Sequence, residues 1–189
     1  MQQTYVLGID IGTGSVKAVA LNEKGQVLHS EQVFYPAAAK TEQEVEPVWF
    51  AFQQSIRNTV STLQAPPQAV GLSSAMHSIM AVNENGHPLS KAILWSDTRS
   101  TAIAQNLRQT TLGRELYLAT GTPIHAMSPL CKIRWWQQTA PELFSRTAKF
   151  ISIKEAIWYR LFGEYVIDFS LASATGLFNH QLLSWHGAA

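Results

Sequence analysis

A short stretch near the N-terminus carries the residues whose chemistry can be argued first. Asp10 closes the apolar run Tyr5-Val6-Leu7-Gly8-Ile9, and Gly12-Thr13-Gly14-Ser15 follow it, with Lys17 just beyond. Small residues let backbone N–H groups come close to phosphate oxygens. The hydroxyls of Thr13 and Ser15 add hydrogen bonds, and Lys17 adds positive charge. Asp10 could hold Mg2+, directly or through water, because that ion takes oxygen ligands and keeps several waters. The spacing fits neither G-x-x-x-x-G-K-[ST] nor G-x-G-x-x-G. A hairpin, not a helix, is expected after the loop. The competing reading is an ordinary Gly-rich turn with an incidental carboxylate.

The elements around this loop follow from periodicity and turn chemistry. Tyr5–Asp10, Val16–Leu21 and Val27–Phe34 read as strands joined by short polar turns, so they should pair antiparallel. Trp49, Phe52, Ile56, Val60 and Leu63 recur at helical spacing and predict an amphipathic helix over 47–63. Ala69–Ser73, Ile79–Val82 and Ala92–Trp95 read as further strands, with a hairpin turn at Asn83-Glu84-Asn85-Gly86. A helix is expected from Thr98 onward, with Ile103, Leu107 and Leu112 on one face and Gly113 breaking it. Ser128 as N-cap and Pro129 at the first position predict a helix to Thr139. Phe150–Phe162 reads as a helix stopped by Gly163, Tyr165–Ile167 as strand-like, and Asp168–Ala174 as a last helix.

Composition narrows the function classes. The chain has 189 residues, 46% hydrophobic and 14% charged, which suits a globular fold. A net charge of +1 without clustered Lys or Arg argues against nucleic acid and against an anionic membrane as partners. Cys131 is the one cysteine, so no internal disulfide and no Cys-rich metal motif is expected. With no signal-like N-terminus and no long apolar run, a cytoplasmic protein is the expectation. The stretch 182–189 offers no closing element, which suggests a boundary within a longer protein.

The strand, Asp10, Gly12-Thr13 and second strand resemble the first phosphate motif of the actin-like ATPase superfamily. Later segments choose a branch. Ser73-Ser74-Ala75-Met76-His77-Ser78 resembles the sugar-contacting segment of FGGY carbohydrate kinases, and Ile93-Leu94-Trp95-Ser96-Asp97-Thr98-Arg99 resembles their Trp-x-Asp-x-Arg segment. Ile151-Ser152-Ile153-Lys154-Glu155 resembles a segment carrying Lys-Asp or Lys-Glu, and the run from Asp168 to Phe178 resembles Asp-x-Ser-x-Ala-Ser-x-Thr. Singly these are weak; in this order they span nearly the whole chain. Ser73–Ser78 and Thr120–Pro129 look most like the gluconate kinase group of that family.

The resemblance implies an α/β, ribonuclease-H-like (actin-like ATPase) fold: a mixed sheet with an antiparallel meander and flanking helices. It implies a sugar-binding N-terminal lobe over 1–189, ATP and Mg2+ as cofactors, and phosphorylation of a sugar or sugar acid, D-gluconate first and xylulose or another polyol next. Gly12, Thr13, Gly14, Ser15 and Lys17 would hold the nucleotide phosphates, and Asp10 the metal. Met76, His77, Trp95, Asp97 and Met127 would meet the substrate. Glycerol kinases carry a Tyr at the segment matching Met127, so glycerol is disfavoured. The catalytic Asp base is expected beyond Ala189, so the chain alone should be inactive. Packing is the plain alternative for Met76 and Trp95, and strand-end capping for His77. Pairing with Arg99 or helix capping is the alternative for Asp97. Asp168 reads as a helix cap. Lys132 and Arg134 could draw a carboxylate, but basic residues on a helix are usually solvated. The sequence does not fix the oligomeric state, a homodimer being one option, and a non-catalytic sugar- or partner-binding module stands as the reading from another class.

Overall fold

The computed structural model describes residues 4–36 and 39–188. The chain divides into two compact units, residues 1–38 with 44–75, and residues 39–43 with 76–189. The first unit is a mixed four-stranded sheet ordered β3-β2-β1-β5. Strands β1 (Val6–Ile11), β2 (Ser15–Leu21) and β3 (Val27–Phe34) form the expected antiparallel meander, and helix α1 (Val45–Leu63) returns the chain to β5 (Ala69–Ser74), parallel to β1. Alternation fixes the faces. Leu7, Ile9 and Ile11 of β1 are buried, while Val6, Gly8 and Asp10 point outward.

Helix α1 turns a different stripe to the core than its large apolar residues predict. Val48, Ala51, Phe52, Ser55 and Thr59 are buried, whereas Trp49, Ile56 and Val60 flank them half-buried. Ala51, Ser55 and Thr59 are small, so the helix axis can approach the sheet closely. The two hydroxyls are satisfied within the helix: Ser55 donates to the Phe52 carbonyl at 2.9 Å and Thr59 to that of Ser55 at 2.8 Å.

The second unit is mostly helical, with short paired strands. Strand β4 (Glu42–Gln43) pairs with β7 (Ala92–Ile93), and β6 (Met80–Val82) with β8 (Lys149–Ile151). Helices α2 (Thr101–Arg108), α3 (Thr111–Thr120) and α4 (Pro129–Thr139) enclose a core of Ala104, Leu107, Leu116, Ile124, Leu130 and Cys131. A second core joins Ile79, Ile93 and Trp136, with Trp136 stacked on Phe150 at 5.6 Å. Helices α5 (Pro141–Arg146), α6 (Ile153–Phe162) and α7 (Phe169–Ser173) follow, then a small hairpin of β9 (Phe178–Asn179) and β10 (Ser184–Trp185).

Several local expectations are corrected. Gly113 lies inside α3, and the break falls earlier, at Gln109 and Thr110. Phe150 and Ile151 belong to strand β8, and the helix starts only at Ile153, where Ser152 and Glu155 form a capping box. Residues 165–167 form no strand, and the segment after residue 181 does contain one, β10. Ser128 occupies the N-cap position of α4, but its hydroxyl donates back to the His125 carbonyl at 2.9 Å instead of capping. No helix among the described residues is long and apolar enough to cross a membrane.

Candidate functional site

In the first unit, Asp10 sits at the end of β1 on the outward face, with Lys17 its cross-strand neighbour on β2 and Ser73 its neighbour on β5. All three line a shallow groove of about 490 Å3 with Gly8, Val19, Gly71 and Leu72. Their company follows from register: directly opposite residues in adjacent strands share a face. The loop between β1 and β2 is held from inside. The Gly12 amide donates to the Ser15 carbonyl at 3.0 Å, and the Tyr35 amide donates to the Gly14 carbonyl at 3.1 Å. The buried Tyr35 hydroxyl donates to the Gly12 carbonyl. Burial, and then the charge of Asp10, push the Tyr35 phenol up to about 12, so it stays a donor at every physiological pH. Tyr35 was not legible as part of this loop, because it lies outside the loop's own sequence.

The Gly12 amide is therefore committed to the loop, which leaves the tip at Gly14 and the Ser15 hydroxyl as its open donors. Gly14 is exposed, and a Cβ there would meet nothing within 4 Å. The Ser15 hydroxyl accepts from Gln32 at 2.9 Å and keeps its own proton to donate. This openness gives a clean test. Gly14→Ala should leave the melting temperature within about 2 °C, since nothing in the fold opposes a methyl there. If phosphates rest on this tip, the methyl obstructs them, and KM for ATP should rise about tenfold.

The metal question can be judged on the donor set. Among the described residues no group of three His, Cys, Asp or Glu is placed to hold an ion. A protein cage for Zn2+ or Ca2+ is thereby unsupported there. A single outward carboxylate beside a phosphate-type loop suits Mg2+, which is commonly bound through one or two carboxylates plus substrate phosphates and water.

In the second unit, the segments carrying Met76, His77, Trp95 and Asp97 meet at the side chain of Lys132. Lys132 on α4 is 0% exposed. Its ammonium donates to the His77 carbonyl at 2.7 Å and to the Leu94 carbonyl at 2.8 Å. The expectation that Lys132 is solvated is thus corrected: its helix face is a packed one, flanked by buried Cys131 and Ser128. Burial is the main cause bringing its amine down to about 8, and the Asp97 charge partly offsets this. His77 itself has φ of 65°, an uncommon conformation for a residue with a side chain. Burial first, and the Lys132 charge second, lower the His77 imidazole below its usual value, so the ring is neutral near pH 7. Its Nδ1 is buried without a hydrogen-bond partner.

Met76 and Trp95 are both about half exposed, at 46% and 51%, which excludes a core role for either. Asp97 is buried and pairs with Arg99, whose Nε and backbone amide both lie 2.9 Å from Oδ1. Burial opposes its charge, but the Arg99 hydrogen bonds prevail and lower its pKa. Arg99 also pairs with Glu42 at 2.7 Å and lies 5.0 Å over the Trp135 ring. Met127 is half-buried in the turn before α4, its amide on His125 Nδ1 at 3.2 Å. That turn is fixed by the Ser100 hydroxyl, which donates to the Ala126 carbonyl at 2.8 Å.

Two further family-like segments have structural work. Asp168 caps α7 through the Leu171 amide and pairs with Lys154 at 2.6 Å. Glu155 completes the α6 capping box, and burial raises its pKa.

Sugar kinases are among the solved structures that resemble the chain. A gluconate kinase from Lactobacillus acidophilus superposes with a TM-score of 0.92 at 30% identity, covering 97% of this chain and 38% of that one. A xylulose kinase from the same species gives 0.93 at 30%, with the same shares. In sequence, the chain is 44% identical over 190 residues to a gluconokinase of Bacillus subtilis, which covers 96% of it and 36% of that relative. A xylulose kinase of Staphylococcus epidermidis is 30% identical over 192 residues, covering 98% of the chain and 38% of the relative. The chain thus spans little more than a third of the relatives it matches. The FGGY family of carbohydrate kinases, N-terminal domain, matches residues 5–189, and the chain belongs to that family.

Proposed function

We propose that this chain is the N-terminal, sugar-binding part of an ATP-dependent kinase that phosphorylates D-gluconate. The observation that carries the reading is the joining of the 76–77 and 94–97 segments at Lys132, with Met76 and Trp95 left exposed. An indole offers a face to C–H groups and an N–H to a hydroxyl. A neutral imidazole can donate and accept at once, which suits a polyol better than a fixed charge does. The unpartnered Nδ1 of His77 is a polar atom that a bound hydroxyl would satisfy. Met127 replaces the aromatic side chain expected for glycerol. Gluconate is preferred over xylulose because the matched gluconokinase is 44% identical and the xylulose kinase 30%.

The phosphates of ATP would rest on the loop tip from Thr13 to Ser15, with Lys17 adding charge and Mg2+ near Asp10, while Gly12, whose amide is taken, shapes the loop. Mg2+ would neutralise charge on the phosphates. A sugar hydroxyl oxygen attacks the γ-phosphorus in line, the bond to the β,γ-bridging oxygen breaks, and ADP leaves. The hydroxyl proton passes to a carboxylate supplied by a part of the protein outside these residues. Catalysis of this kind is mostly positioning and electrostatics.

The test is ADP release by the protein expressed from the full reading frame, with gluconate, xylulose, glycerol, ribulose and fuculose. Turnover should be fastest with gluconate. Clear turnover with xylulose and none with gluconate would overturn the substrate. Sugar binding without turnover of any of the five would favour a non-catalytic binding module.

A further inference from the structure

We propose that Lys132 is a positioning residue of the sugar site: its buried ammonium holds the left-handed turn at His77 and the strand end at Leu94 together, and so sets the placement of Met76, His77, Trp95 and Asp97. The substrate in this proposal rests on the sugar-kinase reading above; the geometry does not.

Removing an ammonium from water costs several kcal/mol unless its donors are met. Lys132 is wholly buried, and no ion pair of the described residues involves it. Two backbone carbonyls meet it instead, at 2.7 and 2.8 Å. A methionine would fill the same space between Cys131 and Ile133 without that cost. What a lysine adds is charged donors at the two carbonyls.

Both carbonyls sit where regular pairing has ended. Strand β5 ends at Ser74, and His77 then turns to φ of 65°. A non-glycine residue held there is strained and persists only when its surroundings fix it. The bond from Lys132 fixes the carbonyl of that same residue. The Leu94 carbonyl, just past β7, accepts the Asp97 amide at 3.1 Å as well as the ammonium. That closes the turn carrying Trp95 and aims the buried Asp97 at Arg99. One side chain therefore ties two segments 17 positions apart in sequence (77 and 94) to helix α4.

The groups facing this ammonium are few. Asp97 favours its charge and Arg99 opposes it, both from the turn after β7; Cys131 lies beside it on α4. His77 faces it from the turn after β5, and His125 faces His77. The lowered amine pKa adds a pH dependence. Above about pH 8 the buried ammonium becomes an amine while an exposed one would stay protonated to about pH 10, so rising pH favours the closed arrangement.

The experiment uses the protein expressed from the full reading frame, with Lys132→Met. Hydrogen exchange in peptides covering 74–79 and 93–98 should quicken about tenfold, while β1–β5 stays unchanged. KM for gluconate should rise about tenfold, with kcat within about threefold and KM for ATP unmoved. Exchange and KM both within twofold of the parent would overturn the proposal. If the variant does not fold, the parent protein is titrated. Protection at 76–78 and 94–97, relative to the β1–β5 amides, should rise about tenfold from pH 7 to 9.5, because opening these turns would let the exposed amine take up a proton that the buried one has lost. A flat profile would overturn the proposal equally. A protein that turns over none of the sugars but shows these exchange changes loses the kinase reading and keeps the role of Lys132. A working gluconate kinase with unmoved exchange and KM in Lys132→Met does the reverse.

Discussion

Asp10→Asn in the full-length protein should lower kcat about a thousandfold, because under the function proposed above it removes the strand-end charge that would hold Mg2+ beside the nucleotide phosphates. The substitution is nearly isosteric and the side chain is exposed. Folding should therefore be almost unaffected, with a melting temperature within about 2 °C of the parent. That separation makes the result informative. A loss of activity with retained stability points to chemistry and not to damage. The Tyr35 hydroxyl would lose the neighbouring negative charge that helps raise its pKa, but burial, the larger cause, remains. Its bond to the Gly12 carbonyl should survive, so the loop keeps its shape. Raising Mg2+ should recover part of the loss if the defect is metal affinity, whereas a purely positional defect would not respond. An Asp10→Asn enzyme with parental kcat would remove Asp10 from the mechanism altogether.

What the sequence made legible depended on whether a residue's role is local. The phosphate-type hairpin was readable because Asp10, Gly12 and Ser15 are neighbours in the chain and in the register of β1 and β2. The Asp168 cap was readable for the same reason: it bonds the amide of Leu171, three residues on. Its second partner, Lys154, lies 14 residues back and emerged only with the fold. Lys132 was misjudged because a basic residue on a helix is solvated unless something pays for its burial, and the two carbonyls that do so are 55 and 38 residues away. Exposure of Trp95 was likewise unreadable, since an indole is as often packed as presented.

Other misreadings were avoidable. The capping box Ser152-Ile153-Lys154-Glu155 is written in the sequence and places a helix start at Ile153. The apolar residues Phe150 and Ile151 hid it by extending the pattern backward. On α1, counting only large apolar residues misplaced the buried face, because Ala51, Ser55 and Thr59 pack against the sheet through smallness.

Gly113 was read as a helix breaker, and its actual role yields the largest stability effect expected in this chain. It is the third residue of α3 and is buried. Thr110 caps the helix by accepting from the Gly113 amide at 3.0 Å, and its hydroxyl donates to the Leu107 carbonyl at 2.8 Å. This two-way bond draws the end of α2 against the start of α3. A Cβ at Gly113 would lie 1.9 Å from the Leu107 carbonyl oxygen and 2.7 Å from its carbon. Both atoms are backbone, so no side chain can swing away. Alanine would otherwise gain about 1 kcal/mol of helix propensity. Relieving the overlap means parting the helices or breaking the Thr110 bonds, at about 3 kcal/mol or more. The clash wins, and Gly113→Ala should lower the melting temperature by roughly 5–10 °C. Arg114→Ala, one residue on and exposed, should stay within about 0.5 kcal/mol of the parent. Equal melting temperatures for the two variants would show that α2 and α3 do not meet as closely as the 1.9 Å approach requires.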